Sequence, residues 1–138
     1  MTVAGASPAN LFDVARRGMS AQLVRMNAAA SNLANAGSVA ASKDAAYRPI
    51  RAVFAETLDR STGLSTVRVD AVVREDAQPM LQHMPGHPYA DVDGNVWTAP
   101  VDENAEMVEM LDASRQYQNL VEALSTAKQL MLETMRMK

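Results

Sequence analysis

Two histidines, His83 and His87, stand four residues apart, a spacing that on a helix would aim two imidazoles at one metal ion. Pro85 and Pro88 forbid that helix, and the chain has no Cys and no third His to complete a ligand set. The two rings therefore read as polar supports for turns. Asp91, Asp93, Gly94 and Asn95 resemble a calcium loop only faintly, because the frame and the closing bidentate Glu are missing. Asp and Gly in this order make a tight turn. Glu103, Glu106 and Glu109 could be taken for a catalytic carboxylate cluster. Their place at the start of a helix accounts for them, since the macrodipole favours negative charge there. Nothing nearby in sequence raises a carboxyl pKa or supplies a nucleophile. There is no serine-centred elbow and no glycine loop for phosphate. The expectation is a chain without catalytic, cofactor-binding or metal sites, and without a small-molecule substrate.

What must hold these residues is a chain of 138 residues, the length of one domain or of a helical pair carrying an insert. Apolar residues make up 48% of it but aromatics only 4%, so Ala, Val, Leu and ten Met supply the contacts. Met is flexible and polarizable and suits adaptable helix packing. A net charge of -3 gives no case for nucleic acid or anionic membrane. Arg16, Arg17 and Arg25 read as solvated flanks of a coil. No stretch approaches the ~20 apolar residues that insertion in a bilayer requires. The start of the chain lacks the basic leader and apolar run of a cleavable secretory signal.

The strongest pattern lies at the two ends. Phe12, Met19, Met26 and Leu33 recur every seven residues, with Leu23 between them, and so do Met110, Tyr117, Leu124 and Met131. A period of about 3.5 residues is a coiled-coil signal: each helix shows a seam that another helix must cover. Residues 1–7 are expected to be disordered. Ser7 and Pro8 open a helix over 8–37, Ala28 to Ala30 thin its lower half, and Gly37 is its expected C-terminal cap. Asp102 caps a second helix over 102–138, which at about 1.5 Å per residue extends about 50 Å.

Between them, residues 38–77 hold a small-residue loop and a hairpin. Tyr47 to Glu56 reads as an edge strand broken near Pro49, Ser61 to Gly63 as a turn, and Val67 to Val72 as a half-buried strand with one polar face. Residues 78–101 carry Pro79, Pro85, Pro88 and Pro100, which make an extended, turn-rich connector with one possible short strand at Asn95 to Thr98. The fold class expected is α+β: two long terminal helices pairing as a coiled coil around a small antiparallel β segment and a Pro-rich connector.

These residues resemble the bacterial flagellar basal-body rod family, and its proximal rod type in particular. Ala30-Ser31-Asn32-Leu33-Ala34-Asn35-Ala36 is similar to the family's end of the first helix. The loop leading to Tyr47-Arg48 and Val53-Phe54 is similar too, as is the strand Val67-Arg68-Val69. Pro85-Gly86-His87-Pro88-Tyr89-Ala90-Asp91, followed by Gly94, resembles the most distinctive stretch. Glu106-Met107 and Ala113-Ser114-Arg115-Gln116-Tyr117 resemble the start of the last helix. The resemblance runs from about Leu11 to Met135 and departs at His83, Asn95, Leu120 and the proline before Val101.

The resemblance implies an axial structural subunit. Such proteins leave the cytoplasm through the flagellar type III export apparatus without a cleaved signal and assemble in the periplasm. There they pack on copies of themselves, on other rod subunits and against basal-body ring proteins, and the rod transmits torque to hook and filament. The resemblance implies no ligand, no metal, no nucleic acid and no membrane insertion. Two other readings stand beside it: a self-contained helical adaptor that binds another protein through its insert, and another axial subunit of the same family.

Overall fold

The computed structural model describes residues 7–137, so the expectation for residues 1–7 lies outside the described residues apart from Ser7. Ser7 is the N-cap of α1 (Pro8–Ala34), and its carbonyl accepts from the Asn10 and Leu11 amides. Proline at the first helical position gives up an amide that has no partner there in any case. Two strands follow as a hairpin, β2 (Ile50–Asp59) and β3 (Leu64–Arg74), and α2 (Glu103–Arg136) closes the chain. Short strands β1 (Val39–Ala40), β4 (Met80–His83) and β5 (Asn95–Thr98) form a separate sheet in the order β1-β5-β4. The chain is α+β.

The layers are α2, then α1, then the hairpin. Among the described elements α2 packs along α1 and reaches the hairpin through the Glu106–Arg51 pair, while α1 also packs on β2 and β3. The helices run antiparallel: Arg25 meets Glu109 and Asp112, Gly18 faces Leu120, and Phe12 lies with Ala127 and Met131. α1 is thus the central layer, which explains its buried small residues Ala15, Ala21, Ala28 and Ala29. Small side chains let neighbours approach a helix from two sides.

Several expectations need correction. Gly37 does not cap α1; the helix ends at Asn35, whose side-chain amide donates to the Ser31 carbonyl at 2.8 Å, and no left-handed residue is used there. The small-residue loop after it contains β1, a two-residue strand too short to leave a period in sequence. The connector is not simply extended, because β4 and β5 pair antiparallel from Met80↔Thr98 to His83↔Asn95. The four prolines all lie outside its strands, so they shape the turns and leave the ladder intact.

The hairpin lies within the expected segment 38–77, with Asp59 opposite Leu64 and Gly63 in the turn at φ 70°. Its polar face is not where alternation placed it. Thr66 is the buried residue of β3, whereas Val67, Val72 and Val73 are exposed. A register shift between Val53 and Phe54 breaks the alternation, and a two-stranded sheet resting on one helix has only one covered face.

Candidate functional site

The inner line of α2 is legible from burial alone. From Ala113 to Met131, the residues that are not exposed are Ala113, Ser114, Tyr117, Leu120, Leu124, Ala127 and Met131. Apart from Ser114 they alternate steps of three and four, the spacing of a coiled-coil seam. Met110, Tyr117, Leu124 and Met131 all lie on this line and are half-buried against α1. On α1, Phe12, Met19, Met26 and Leu33 are half-buried, while Leu23 is 42% exposed. Leu23 lies one position away from Gln22, which together with Ala15 and Ala29 repeats every seven residues toward the interior.

Gly18 was not singled out by the sequence, yet it sets the spacing of the pair. A methyl group added there would lie 3.1 Å from Leu120 Cδ1, tighter than an ordinary contact. The signal was available: a glycine inside a strongly periodic helix weakens it by ~1 kcal/mol unless close approach requires it. Further along, Arg25 Nε donates to Glu109 at 2.8 Å and Arg25 Nη2 to Asp112 at 3.0 Å. Arg25 is therefore a bridge between the helices and not a free flank. Arg16 and Arg17 both pair with Asp13 within α1.

At one end of the pair the helices and the hairpin are joined by a buried polar cluster. Glu106 is 2% exposed and Asn32 is fully buried. The Arg51 guanidinium from β2 grips both Glu106 oxygens, and Asn32 Nδ2 donates to Glu106 Oε2 at 3.1 Å and to the Ile50 carbonyl at 2.9 Å. Asn32 Oδ1 accepts from the Ile50 amide and the Tyr47 hydroxyl, each at 2.8 Å. Every polar atom of the Asn32 amide thus has a partner from another element. Burial pushes the Glu106 carboxyl up, but the hydrogen bonds from Arg51 and Asn32 outweigh it and hold it below the ordinary carboxylate range. Arg51 is raised correspondingly, first through its hydrogen bonds to Glu106. Glu106 was read in sequence as a helix-start charge; its stronger role is this clasp.

The remaining residues of the distinctive stretches support local structure. Asp102 caps α2, accepting from the Asn104 and Ala105 amides at 3.0 and 3.1 Å. Arg48 pairs with Asp76 at 2.9 Å. Asp91 Oδ1 accepts from the Asp93 and Asn95 amides, and Ala90 closes a turn onto the His87 carbonyl. Gly94, at φ 77°, occupies a place where a Cβ would strike Pro85 Cβ at 2.9 Å. His87 Nδ1 accepts from the Tyr89 amide, Pro88 is exposed, and His83 bonds Asn95 across β4 and β5. Among the described residues no group of three His, Asp or Glu side chains converges as a metal site, and no helix is long and apolar enough to cross a membrane. Met107 is 48% exposed on the outer side of α2.

Residues 12–38 match the family described as flagella basal body rod protein, and residues 92–137 match the flagellar basal body rod FlgEFG protein C-terminal family. The chain is 42% identical over 128 residues to the flagellar basal-body rod protein FlgC of Salmonella typhimurium, covering 91% of this chain and 94% of that one. It belongs to the flagellar basal-body rod proteins. FlgC of Yersinia enterocolitica is 41% identical over 126 residues, with 91% and 94% covered. FlgC of Aquifex aeolicus is 34% identical over 126 residues, with 91% and 92% covered. The two matched regions take in most of α1 and all of α2. The chain is a structural rod subunit.

Proposed function

We propose that this rod subunit assembles through its terminal helices into the periplasmic drive shaft that passes torque to hook and filament. In this reading α1 and α2 pair as a coiled coil and form the inner part of each subunit. The hairpin and the β1-β5-β4 sheet lie outward. The subunit travels through the flagellar type III export apparatus without a cleaved signal and packs on copies of itself, on other rod subunits and against basal-body ring proteins.

The observation that carries the reading is the outer side of α2. Its inner line is covered by α1, yet Val108, Leu111, Val121 and Leu132 remain 42–65% exposed along it. A long apolar flank on a helix that already has its partner marks a surface for association. Repeated heterologous contacts that do not close produce a tube, and many parallel contacts suit a part that carries torque.

The test is to delete the gene in its own host and restore it with a tagged chain. Motility should be lost and regained, and the tag should be found in isolated basal bodies. Recovery of motility with the tag absent from basal bodies would refute the assignment. A stable soluble complex with a non-flagellar protein would favour the adaptor reading.

A further inference from the structure

Each helix carries one buried polar side chain at the clasp end, Asn32 on α1 and Glu106 on α2. Glu106 and Ala113 are the buried residues of α2 among those described, so this end cannot be covered without taking the carboxylate inside. Apart from the bond that joins them, all hydrogen-bond partners of the two side chains lie in one short stretch, Tyr47 to Arg51. The open end of the hairpin holds that stretch in place. Arg51 Nε donates to Glu75 Oε1 at 2.8 Å, and the Glu75 amide donates to the Pro49 carbonyl at 2.7 Å.

We infer that Tyr47–Arg51 is a folding key: the clasp end of the helix pair closes only once a formed hairpin has seated this stretch. The unequal burial of the ion pair carries the argument. Arg51 is 36% exposed and Glu106 2%, so a detached Arg51 returns to water while Glu106 is left inside without a cation. A carboxylate buried without a partner is strongly unfavourable, and separating the helices rehydrates it. Asn32 adds the same requirement, because Tyr47 and Ile50 supply both bonds to its carbonyl oxygen and one of the two from its amide nitrogen. An apolar residue in place of Glu106 would let the helices close without reference to the hairpin; the carboxylate makes closure conditional. The coupling stands on this geometry, and its use rests on the rod-subunit reading. There it keeps a chain whose middle is still unfolded, as during export, from presenting a finished helix pair to its neighbours.

Amide exchange on the purified full chain tests the key with Arg51→Met, which removes the cation and keeps an apolar side chain. Exchange at Ala28 to Asn32 and at Glu106 to Ala113 should quicken about tenfold or more. Adding Glu106→Met should restore slow exchange in both helices, although the hairpin still lacks Arg51. General damage to the fold would not be repaired by removing a second polar contact. Unchanged exchange in Arg51→Met would overturn the key. So would a double variant that exchanges as fast as the single one, which would assign the coupling to packing of α1 on the hairpin. If Arg51→Met yields no folded protein, recovery decides: a folded double variant supports the key, and an unfolded one overturns it. None of these outcomes touches the rod reading, which is scored by the wild-type chain in basal bodies. Its absence there would remove the use in assembly and leave the coupling intact.

Discussion

Asn32 of α1 and Glu106 of α2 meet at 3.1 Å in the interior, and both are held at the same time by β2. Three segments far apart in sequence are fixed to one another at a single point. Removing the charge leaves Arg51 without its buried partner and Asn32 with a poorer one. Breaking a buried pair costs about 3–5 kcal/mol, and the partial exposure of Arg51 lowers the expectation here to about 2–3 kcal/mol for Glu106→Ala. Urea unfolding of purified protein measures it. A change below about 0.5 kcal/mol would show that the clasp contributes little.

The same carboxylate predicts an acid limit. Its folded pKa lies below its ordinary value of 4.5, so the unfolded chain takes up the proton first as pH falls. The stabilisation from the clasp is therefore complete above the ordinary carboxylate range and is lost as pH drops through the lower folded value. Wild type should lose stability more steeply than Glu106→Gln below about pH 4.5. Parallel curves for the two proteins would place the acid sensitivity elsewhere.

What sequence makes legible here follows from where the period comes from. Tyr117, Leu124 and Met131 announce α2 because each turn repeats the same requirement against one neighbour. Fold class and the hairpin follow from similarly local signals, such as Gly63 in its turn. Burial of Glu106 leaves no such trace: its partners are 55 and 74 residues away, and a Glu in a first turn already has a sufficient local reason. β1 is equally silent, since Val39 and Ala40 form a strand only because β5 is there to receive them. The exposed valines of β3 mislead because alternation records which side chains share a face, not whether anything covers that face.

Gly18 permits a test of how closely the helices must approach. Gly18→Leu places a side chain where Leu120 already lies 3.1 Å from an added Cβ. Overpacking of this kind costs about 1–3 kcal/mol, partly offset by the better helix propensity of Leu. Shortening the opposite residue with Leu120→Ala should recover much of the loss. Melting curves of the single and double variants give the answer, and additive losses would mean the two positions are independent.

Met131 lies at the opposite end of the pair from the clasp, in an open groove with Phe12, Leu11 and Met135. Met131→Asp puts a charge into this apolar contact, so the outer ends of the helices should separate while the clasp holds. Helix content by circular dichroism should fall modestly, and rods should fail to assemble, scored as loss of motility. Normal swimming with this variant would mean that closure of this end is not needed.

Stability should therefore grade along the helix pair. Near the clasp, Ala28, Ala29, Asn32, Glu106 and Ala113 are buried, and Arg25 ties α1 to α2. At the far end Leu11 is 48% exposed, Leu130 59% and Met135 68%, and among the described residues no buried polar group joins the helices there. Local opening requires less free energy where fewer apolar groups are buried. Amide exchange on the isolated full chain should be slowest around Ala28 to Asn32 and Ala113, and should quicken steadily toward Pro8 and Arg136. Glu106→Ala should erase the gradient by releasing the slow end, whereas Met131→Asp should steepen it by freeing the fast end alone. Uniform protection along both helices in the wild type would mean that the pair opens as one unit and that the clasp is not its anchor.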